Sequence, residues 1–321
     1  MKKPTILYIR VSENCNSHCF MCHYAGRKDS YNISMEQYEE LLEYAKKEKI
    51  KTIRFTGGEP LIHQNILEFI KKANNYHFQT SIITNGFLLK KMARQLIESG
   101  LTQYIISIDG SCPQIHDNLR NFKGCFKNAI EGIKLLRENN PQIKIRVNTV
   151  VSGRNIKDLP NIYSLLNKLG VNQWSIIPIK SKESTWLEDS KNDYQVFLSF
   201  LNKNKNNNLE FLGYSRFFAG KTEEEIDDTF NNNLRLKNKS CCHVVDYVRF
   251  YIPDTDRLVP CNCIAHRLDK IPVDLKGDRE VVCERLRKWL KNHSQECTGC
   301  EPLNTFINDY PEIMEKEIMN Y

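Results

Sequence analysis

The stretch Cys15-Asn16-Ser17-His18-Cys19-Phe20-Met21-Cys22 follows the first β-rich run of the chain, Ile6–Val11. Its cysteines are separated by three residues and then by two, and random placement of the chain's cysteines gives about 0.02 such patterns per chain. Thiolates at this spacing can surround a 4Fe–4S cluster, ligating three irons and leaving the fourth open. The sequence therefore predicts that Cys15, Cys19 and Cys22 are metal ligands.

The regions around this stretch alternate β-rich runs with amphipathic segments between residues 5 and 180. In Ser34–Lys49, apolar residues recur at helical spacing, and Ser34 with Gln37 forms a capping-box pattern. Strands alternating with helices form a parallel sheet, and six are too few for a closed eight-stranded barrel. We expect an α/β fold, a partial (β/α)6 TIM-type barrel. Its predicted strands are Ile6–Val11, Thr52–Phe55, Thr80–Thr84, Tyr104–Ile108, Ile143–Val151 and Trp174–Ile179.

Composition limits the classes of protein that the chain can belong to. The 321 residues are 40% hydrophobic and 26% charged, as in ordinary globular proteins. The N-terminal segment lacks a long apolar run, and no run approaches a membrane span, so we expect a cytoplasmic protein. The net charge is +7, but lysines alternate with glutamates along the predicted helices, so we expect no nucleic-acid partner. Twelve cysteines in a reducing compartment indicate metal binding rather than disulfides.

The chain is expected to have three parts. They are the partial barrel at 1–180, a bridging helical region at 181–239, and a cysteine-rich hairpin–helix module with a C-terminal helix at 240–321. The bridging region is rich in Asn, Lys and Glu and is interpreted as two helices with a polar connection. The last part contains seven of the twelve cysteines.

Six of these C-terminal cysteines lie in three short segments. Four thiolates would close an auxiliary cluster completely, so it would serve structure, electron transfer or substrate positioning. If Cys241 and Cys242 enter a strand, their side chains point to opposite faces, and only one of them can then ligate. A zinc knuckle is the alternative, and Cys112, Cys125 and Cys283 are interpreted as thiols without a role. The candidate ligands are Cys241, Cys242, Cys261, Cys263, Cys297 and Cys300, and the zinc alternative uses the last four.

The N-terminal half resembles the radical S-adenosylmethionine (SAM) superfamily. Its CxxxCxxC signature is matched in full by the three N-terminal cysteines, and its GGEP signature follows the second strand as Thr56–Pro60. Glycines let the backbone approach a ligand, and a carboxylate can meet the ammonium of SAM. The resemblance implies a 4Fe–4S cluster and SAM as cofactors. It also implies that SAM is contacted by Met21, Gly57, Gly58, Glu59, Pro60, Ser107, Asp109 and Asn148.

The C-terminal cysteines resemble the twitch module, a shortened SPASM domain of some radical SAM enzymes. The resemblance covers about 240–302 and implies a second 4Fe–4S cluster. The spacing to the return strand of the twitch hairpin favours Cys242 over Cys241 as a ligand. Cys263 is an alternative ligand to Cys261. Asp256 occupies the position where the family usually has glycine, and aspartate tolerates a left-handed turn. The implied ligands are Cys242, Cys261, Cys297 and Cys300.

The resemblance also implies the reaction. A 5′-deoxyadenosyl radical takes a hydrogen atom from substrate, and chain length, the twitch-like tail and the paired cysteines resemble YydG-type peptide epimerases. In that hypothesis the radical removes an α-hydrogen from an L-residue of a precursor peptide, and Cys241 returns hydrogen to give the D-residue. Flavodoxin or ferredoxin would supply electrons. The alternatives are dehydrogenation of a sugar or aminocyclitol, peptide thioether or C–C crosslinking, and a non-catalytic iron–sulfur or zinc protein.

Overall fold

The protein is represented by a computed structural model that describes residues 5–22, 31–178, 191–203, 209–213, 248–252 and 257–259. The strands are β1 Ile6–Ser12, β2 Thr52–Gly57, β3 Gln79–Thr84, β4 Gln103–Ser107, β5 Lys144–Val151, β6 Gln173–Pro178, β7 Glu210–Gly213, β8 Val248–Ile252 and β9 Arg257–Val259. The helices are α1 Met35–Lys47, α2 Ile66–Asn75, α3 Leu89–Glu98, α4 Pro113–Arg120, α5 Cys125–Asn139, α6 Leu159–Lys168 and α7 Lys191–Lys203.

The chain divides into two compact units, which are described separately. Of the described residues, the first unit contains 5–10, 33–54, 248–252 and 257–259, and the second contains 11–22, 31–32, 55–178, 191–203 and 209–213. Strands β1 and β2 therefore begin in the first unit and end in the second.

In the first unit, β8 lies parallel to β1, with Ile6 opposite Val248, and β9 pairs antiparallel with β8. The hairpin predicted before Cys261 is therefore present as the pair β8–β9. Helix α1 begins at the predicted capping box, in which the Gln37 amide donates to Ser34 Oγ at 3.1 Å and the Ser34 amide donates to Gln37 Oε1 at 2.9 Å. The buried face of α1 includes Leu41 and the other apolar residues of its predicted face.

In the second unit, strands β3 to β7 run parallel and in chain order across the sheet. Strand β7 forms an edge, so the sheet is open, and the predicted α/β class with a partial barrel is confirmed. All six predicted strands are present, each end lying within two residues of its prediction. None of the helices in the described ranges has the length and apolar composition needed to cross a bilayer.

An aromatic cluster packs α7 onto this sheet. The Trp174 ring lies 5.7 Å from Phe197 of α7 and 5.8 Å from Phe211 of β7, and Tyr163 stacks on Phe211 at 5.8 Å. Trp174 Nε1 also donates to the Thr149 hydroxyl at 2.8 Å. Sequence analysis predicted only helices between 181 and 239, whereas β7 adds a strand there. The packing of Phe211 against this cluster accounts for that strand.

Candidate active site

The cysteine stretch lies in the loop that leaves β1. Ser17 is buried, and its hydroxyl lies 3.2 Å from Cys15 Sγ and 3.4 Å from Cys19 Sγ. The Cys22 amide donates to the Cys19 carbonyl at 3.1 Å, which turns the third cysteine back toward the second. Burial raises the pKa of Cys15, and hydrogen bonds with Ser17 oppose that rise. Ser17 thus bridges two of the three predicted ligands.

The three thiols suit a cluster better than a single ion. In the described ranges, no three Cys, His, Asp or Glu side chains are grouped closely enough to hold one metal ion. A 4Fe–4S cluster needs no such convergence, because each thiolate binds a different iron. Three soft thiolate donors on one loop therefore fit an iron–sulfur cluster, and Cys15, Cys19 and Cys22 would be its ligands.

The GGEP segment is held against the cysteine loop by backbone contacts. The Gly58 amide donates to the Ser12 carbonyl and the Glu59 amide to the Asn14 carbonyl, both at 2.8 Å. A Cβ atom on Gly58 would lie 2.1 Å from the Asn14 carbonyl oxygen, and one on Gly57, where φ is +128°, would lie 2.1 Å from the Ser12 carbonyl oxygen. Only glycine permits this approach. The cysteine and GGEP signatures are therefore in direct backbone contact.

The Glu59 carboxylate is fully buried and accepts three hydrogen bonds. Oε1 accepts from the Leu61 amide at 3.0 Å and from the Thr84 hydroxyl at 2.7 Å, and Oε2 accepts from the Asn85 amide at 2.7 Å. Burial raises the pKa of Glu59, and these three bonds oppose that rise. Glu59 thus joins the segment after β2 to the end of β3, while its predicted contact with the SAM ammonium stays a prediction.

Asn85 connects this clamp to the cysteine loop, and sequence analysis missed it. Its side-chain amide donates to Asn16 Oδ1 at 2.7 Å, while its own Oδ1 accepts from the Phe87 amide at 2.9 Å. Asn85 follows β3 at the edge where the other site residues follow their strands. The reasoning applied to the end of the second strand could therefore have identified Asn85.

Three polar residues lie in register on one face of the second unit's sheet. Ser107 of β4 is opposite Asn148 of β5, which is opposite Ser175 of β6. Asn148 Oδ1 is buried and has no hydrogen-bond partner among the described residues. An unpaired buried oxygen costs about 1–3 kcal/mol, so a bound donor there would be favourable. Ser175 was not predicted, but its parallel register with Asn148 places it in the same row.

Asp109 is fully buried and pairs with the protein on both carboxylate oxygens. Oδ1 accepts from the Val150 amide at 2.8 Å, and Oδ2 lies 2.6 Å from Arg120 Nε. Burial raises the pKa of Asp109, and the Arg120 charge and these hydrogen bonds oppose that rise. Its predicted contact with SAM stays a prediction, whereas its pairing with Arg120 is a property of the fold.

His116 is hydrogen-bonded to the backbone of Asp109 and supplies a test by pH. The Asp109 amide donates to His116 Nδ1 at 3.1 Å, and burial, assisted by the charge of Arg120, lowers the pKa of His116 to about 3. An unfolded histidine titrates near 6.5, so the unfolded chain binds the extra proton between pH 6.5 and 3. The stability contributed by neutral His116 is therefore complete above pH 6.5 and is lost as pH falls.

Between pH 7 and pH 5, this residue should lower the free energy of unfolding by about 2 kcal/mol. His116→Asn keeps an acceptor for the Asp109 amide without the titration, so its free energy of unfolding should depend less on pH by that amount. Urea unfolding at both pH values measures the difference. His77→Asn, at an exposed histidine, is the control, and equal pH dependence in both variants would contradict the assignment.

Some of the remaining predicted residues lie in the described part of the chain, and the others lie outside it. Met21 is half-buried, and its contact with adenine stays a prediction. Cys125 is buried and donates to the Asn85 carbonyl at 3.4 Å, as expected of a core thiol, and Cys112 is half-buried. The other predicted cysteines lie outside the described residues, namely Cys241, Cys242, Cys261, Cys263, Cys283, Cys297 and Cys300.

Known proteins share both the sequence pattern and the fold. Residues 9–166 match the family model described as Radical SAM superfamily. A probable GTP 3′,8-cyclase of Methanocaldococcus jannaschii is 33% identical over 168 residues, which are 51% of this chain and 55% of that protein. The protein of that name from Thermococcus kodakarensis is 29% identical over 168 residues, 52% of this chain and 54% of that protein. The chain thus spans about half the length of these curated relatives.

Solved structures support the fold. SuiB of Streptococcus suis, bound to S-adenosylmethionine, has a TM-score of 0.68 at 18% identity, covering 94% of this chain and 74% of SuiB. The anSMEcpe structure with bound AdoMet has a TM-score of 0.64 at 19% identity, covering 95% of this chain and 87% of that one. At these identities the likeness establishes the fold alone. Residues 9–166, whose cysteine and GGEP signatures are joined in one site, match the radical SAM superfamily.

Proposed function

We propose that this radical SAM enzyme takes a hydrogen atom from the α-carbon of a residue in a ribosomally made peptide. Once reduced, a 4Fe–4S cluster with bound SAM would supply the electron that splits SAM into methionine and a 5′-deoxyadenosyl radical. The observation that carries the proposal is the hydrogen-bonded unit in which the cysteine loop, Gly57–Glu59 and Asn85 meet.

In this proposal the chain's residues bind and orient the reactants. The cluster is held by Cys15, Cys19 and Cys22. The backbone of the GGEP segment, which lies against the cysteine loop, borders the SAM site. Pro60 is buried and begins a short 3-10 helix that anchors this segment. The row of Ser107, Asn148 and Ser175 offers polar groups to SAM, and the unpaired Asn148 Oδ1 can accept from a hydroxyl.

A peptide substrate is favoured by what the neighbouring structures contain. SuiB has been determined bound to precursor peptide SuiA, and anSMEcpe with AdoMet and Cp18Cys peptide. We propose epimerisation as the outcome. After the radical removes the α-hydrogen, the Cys241 thiol gives a hydrogen atom to the opposite face of the carbon, and the resulting thiyl takes one electron and one proton.

The electron donor in this scheme is a flavodoxin or ferredoxin. A second 4Fe–4S cluster held by Cys242, Cys261, Cys297 and Cys300 is part of the same proposal. Its four thiolates would leave no iron open, so it would position substrate or pass electrons rather than bind SAM.

Replacing Cys241 tests the epimerisation step. Cys241→Ala should still form 5′-deoxyadenosine with a precursor peptide, whereas the yield of D-residue and the solvent deuterium incorporated at the α-carbon should fall to background. Chiral amino-acid analysis and mass spectrometry measure both. Cys112→Ala should match the unmodified protein. Unchanged deuterium incorporation in Cys241→Ala would exclude this thiol as the donor.

A second candidate is ring closure on GTP, which is favoured by the names of the curated relatives. Incubating the reduced protein with SAM and either GTP or peptide separates the candidates. A new nucleotide isomer would support cyclisation, and an unchanged peptide mass with a D-residue would support epimerisation. Loss of two hydrogens would indicate dehydrogenation or crosslinking. Absence of 5′-deoxyadenosine while the cluster is fully loaded would favour the non-catalytic alternative.

A further inference from the structure

Arg120, at the end of α4, lies between a cluster ligand and a buried carboxylate. Its Nη1 donates to Cys19 Sγ at 3.8 Å, and its Nε lies 2.6 Å from Asp109 Oδ2. The Arg120 side chain is 11% exposed, and that of Asp109 is fully buried. A cation is therefore held against a predicted ligand sulfur with little access to water.

The surrounding contacts position this guanidinium. Asp109 Oδ1 is tied to the Val150 amide at 2.8 Å, which leaves Oδ2 to pair with Arg120. In the same turn of α4, the Leu119 carbonyl accepts from the Phe20 amide at 3.4 Å, so helix and cysteine loop also meet through their backbones. The position of Arg120 relative to Cys19 is thus determined by the ion pair with Asp109 and by the backbone contact between α4 and the cysteine loop.

A positive charge beside a ligand sulfur stabilises the more negative, reduced state of an iron–sulfur cluster. Asp109 opposes the effect from farther away, so the pair presents its positive end to Cys19. We propose that Arg120, held by Asp109, raises the reduction potential of the first cluster and so assists its reduction. This inference rests on the proposed function, because it requires that Cys19 be a cluster ligand.

The test measures the cluster's midpoint potential in the full chain, reconstituted anaerobically and studied without SAM. The double variant Arg120→Gln/Asp109→Asn removes the cation without leaving a buried carboxylate unpaired. Its equilibrium constant for one-electron reduction should be about tenfold lower than that of the unmodified protein, a shift of about −59 mV. Reductive titration followed by electron paramagnetic resonance gives the potential.

Arg154→Gln is the matched control. The Arg154 guanidinium lies 4.5 Å from the centre of the Phe20 ring, and Phe20 belongs to the cysteine loop. Replacing Arg154 therefore also removes a cation near the proposed cluster, but one that makes no contact with a cysteine among the described residues. We expect the equilibrium constant for one-electron reduction to change by less than about twofold in this variant, because the Arg154 charge is exposed and screened. An equal shift in both variants would overturn the assignment to Arg120.

Two single variants make the direction of the effect testable if the double variant loads poorly. Arg120→Lys keeps the charge, so its potential should lie nearer to that of the unmodified protein. Asp109→Asn leaves the cation uncompensated and should raise the potential. A potential that stays unchanged in both, while affinity for SAM changes, would overturn the inference and assign Arg120 to the cofactor instead.

The two proposals fail in distinguishable ways. If the unmodified chain forms no cluster, or Cys19→Ala keeps a fully loaded one, the proposed site is wrong. If the cluster forms and SAM is cleaved but the potential does not respond to the double variant, only the role of Arg120 is wrong.

Discussion

Gly58→Ala is expected to prevent loading of the first cluster. The new Cβ would lie 2.1 Å from the Asn14 carbonyl oxygen and 2.8 Å from that of Glu13, so the cysteine loop must move away. A displacement near 1 Å at a reacting site costs about 10²-fold in rate. We therefore expect little bound iron and sulfide, and 5′-deoxyadenosine formation at least about 10²-fold slower, by metal analysis and chromatography.

Gly124→Ala is the control for this substitution. Gly124 has a φ of +82°, so alanine there costs about 1 kcal/mol, but its nearest new contact is Asn128 Nδ2 at 3.8 Å. Cluster content and SAM cleavage should stay normal in that variant. Normal iron content in Gly58→Ala would mean that the close approach of the two loops is not needed for the site.

Glu59→Gln is expected to destabilise the same region through hydrogen bonding. Three donors point at the carboxylate, from Leu61, Thr84 and Asn85. The amide nitrogen of glutamine would face at least one buried donor instead of accepting from it. Such a loss costs about 1–3 kcal/mol for the group left unpaired, and more where the acceptor was charged. We expect the free energy of unfolding to fall by about 3 kcal/mol.

Cluster loading should fall with it, because Asn85 links Glu59 to Asn16 of the cysteine loop. Urea unfolding and iron content measure the two effects. Glu98→Gln is the control, since Glu98 is 59% exposed in a helical ion pair with Arg94 at 2.8 Å and should change stability by less than about 0.5 kcal/mol. Equal behaviour of the two glutamine variants would show that the Glu59 clamp contributes nothing.

Much of the barrel was predictable because its signals are local. Short β-rich runs between amphipathic segments predicted six strands, and Ser34 with Gln37 predicted the start of α1. Strand β7 was missed because four residues carry little periodicity, and its stability comes from Phe211 packing beside Trp174.

The site divides in the same way. The spacing of Cys15, Cys19 and Cys22 is contained in eight residues, and GGEP is contiguous, so both could be recognised without coordinates. The hydrogen-bond and ion-pair partners of Glu59 and Asp109 could not be predicted, because both carboxylates are engaged by groups from distant segments. Buried charges require partners, but sequence does not say which partners they find.

The candidate cluster ligands and the alternation of six strands with helices could be predicted from the sequence alone, since thiolate chemistry and hydrophobic periodicity are read over short stretches. Tertiary structure decided the rest: that Gly58 lies against Asn14, that Asn85 joins Glu59 to the loop, and that Arg120 reaches Cys19 from 101 residues away. Such contacts depend on how parallel strands bring their carboxyl ends together, and no local pattern encodes that distance.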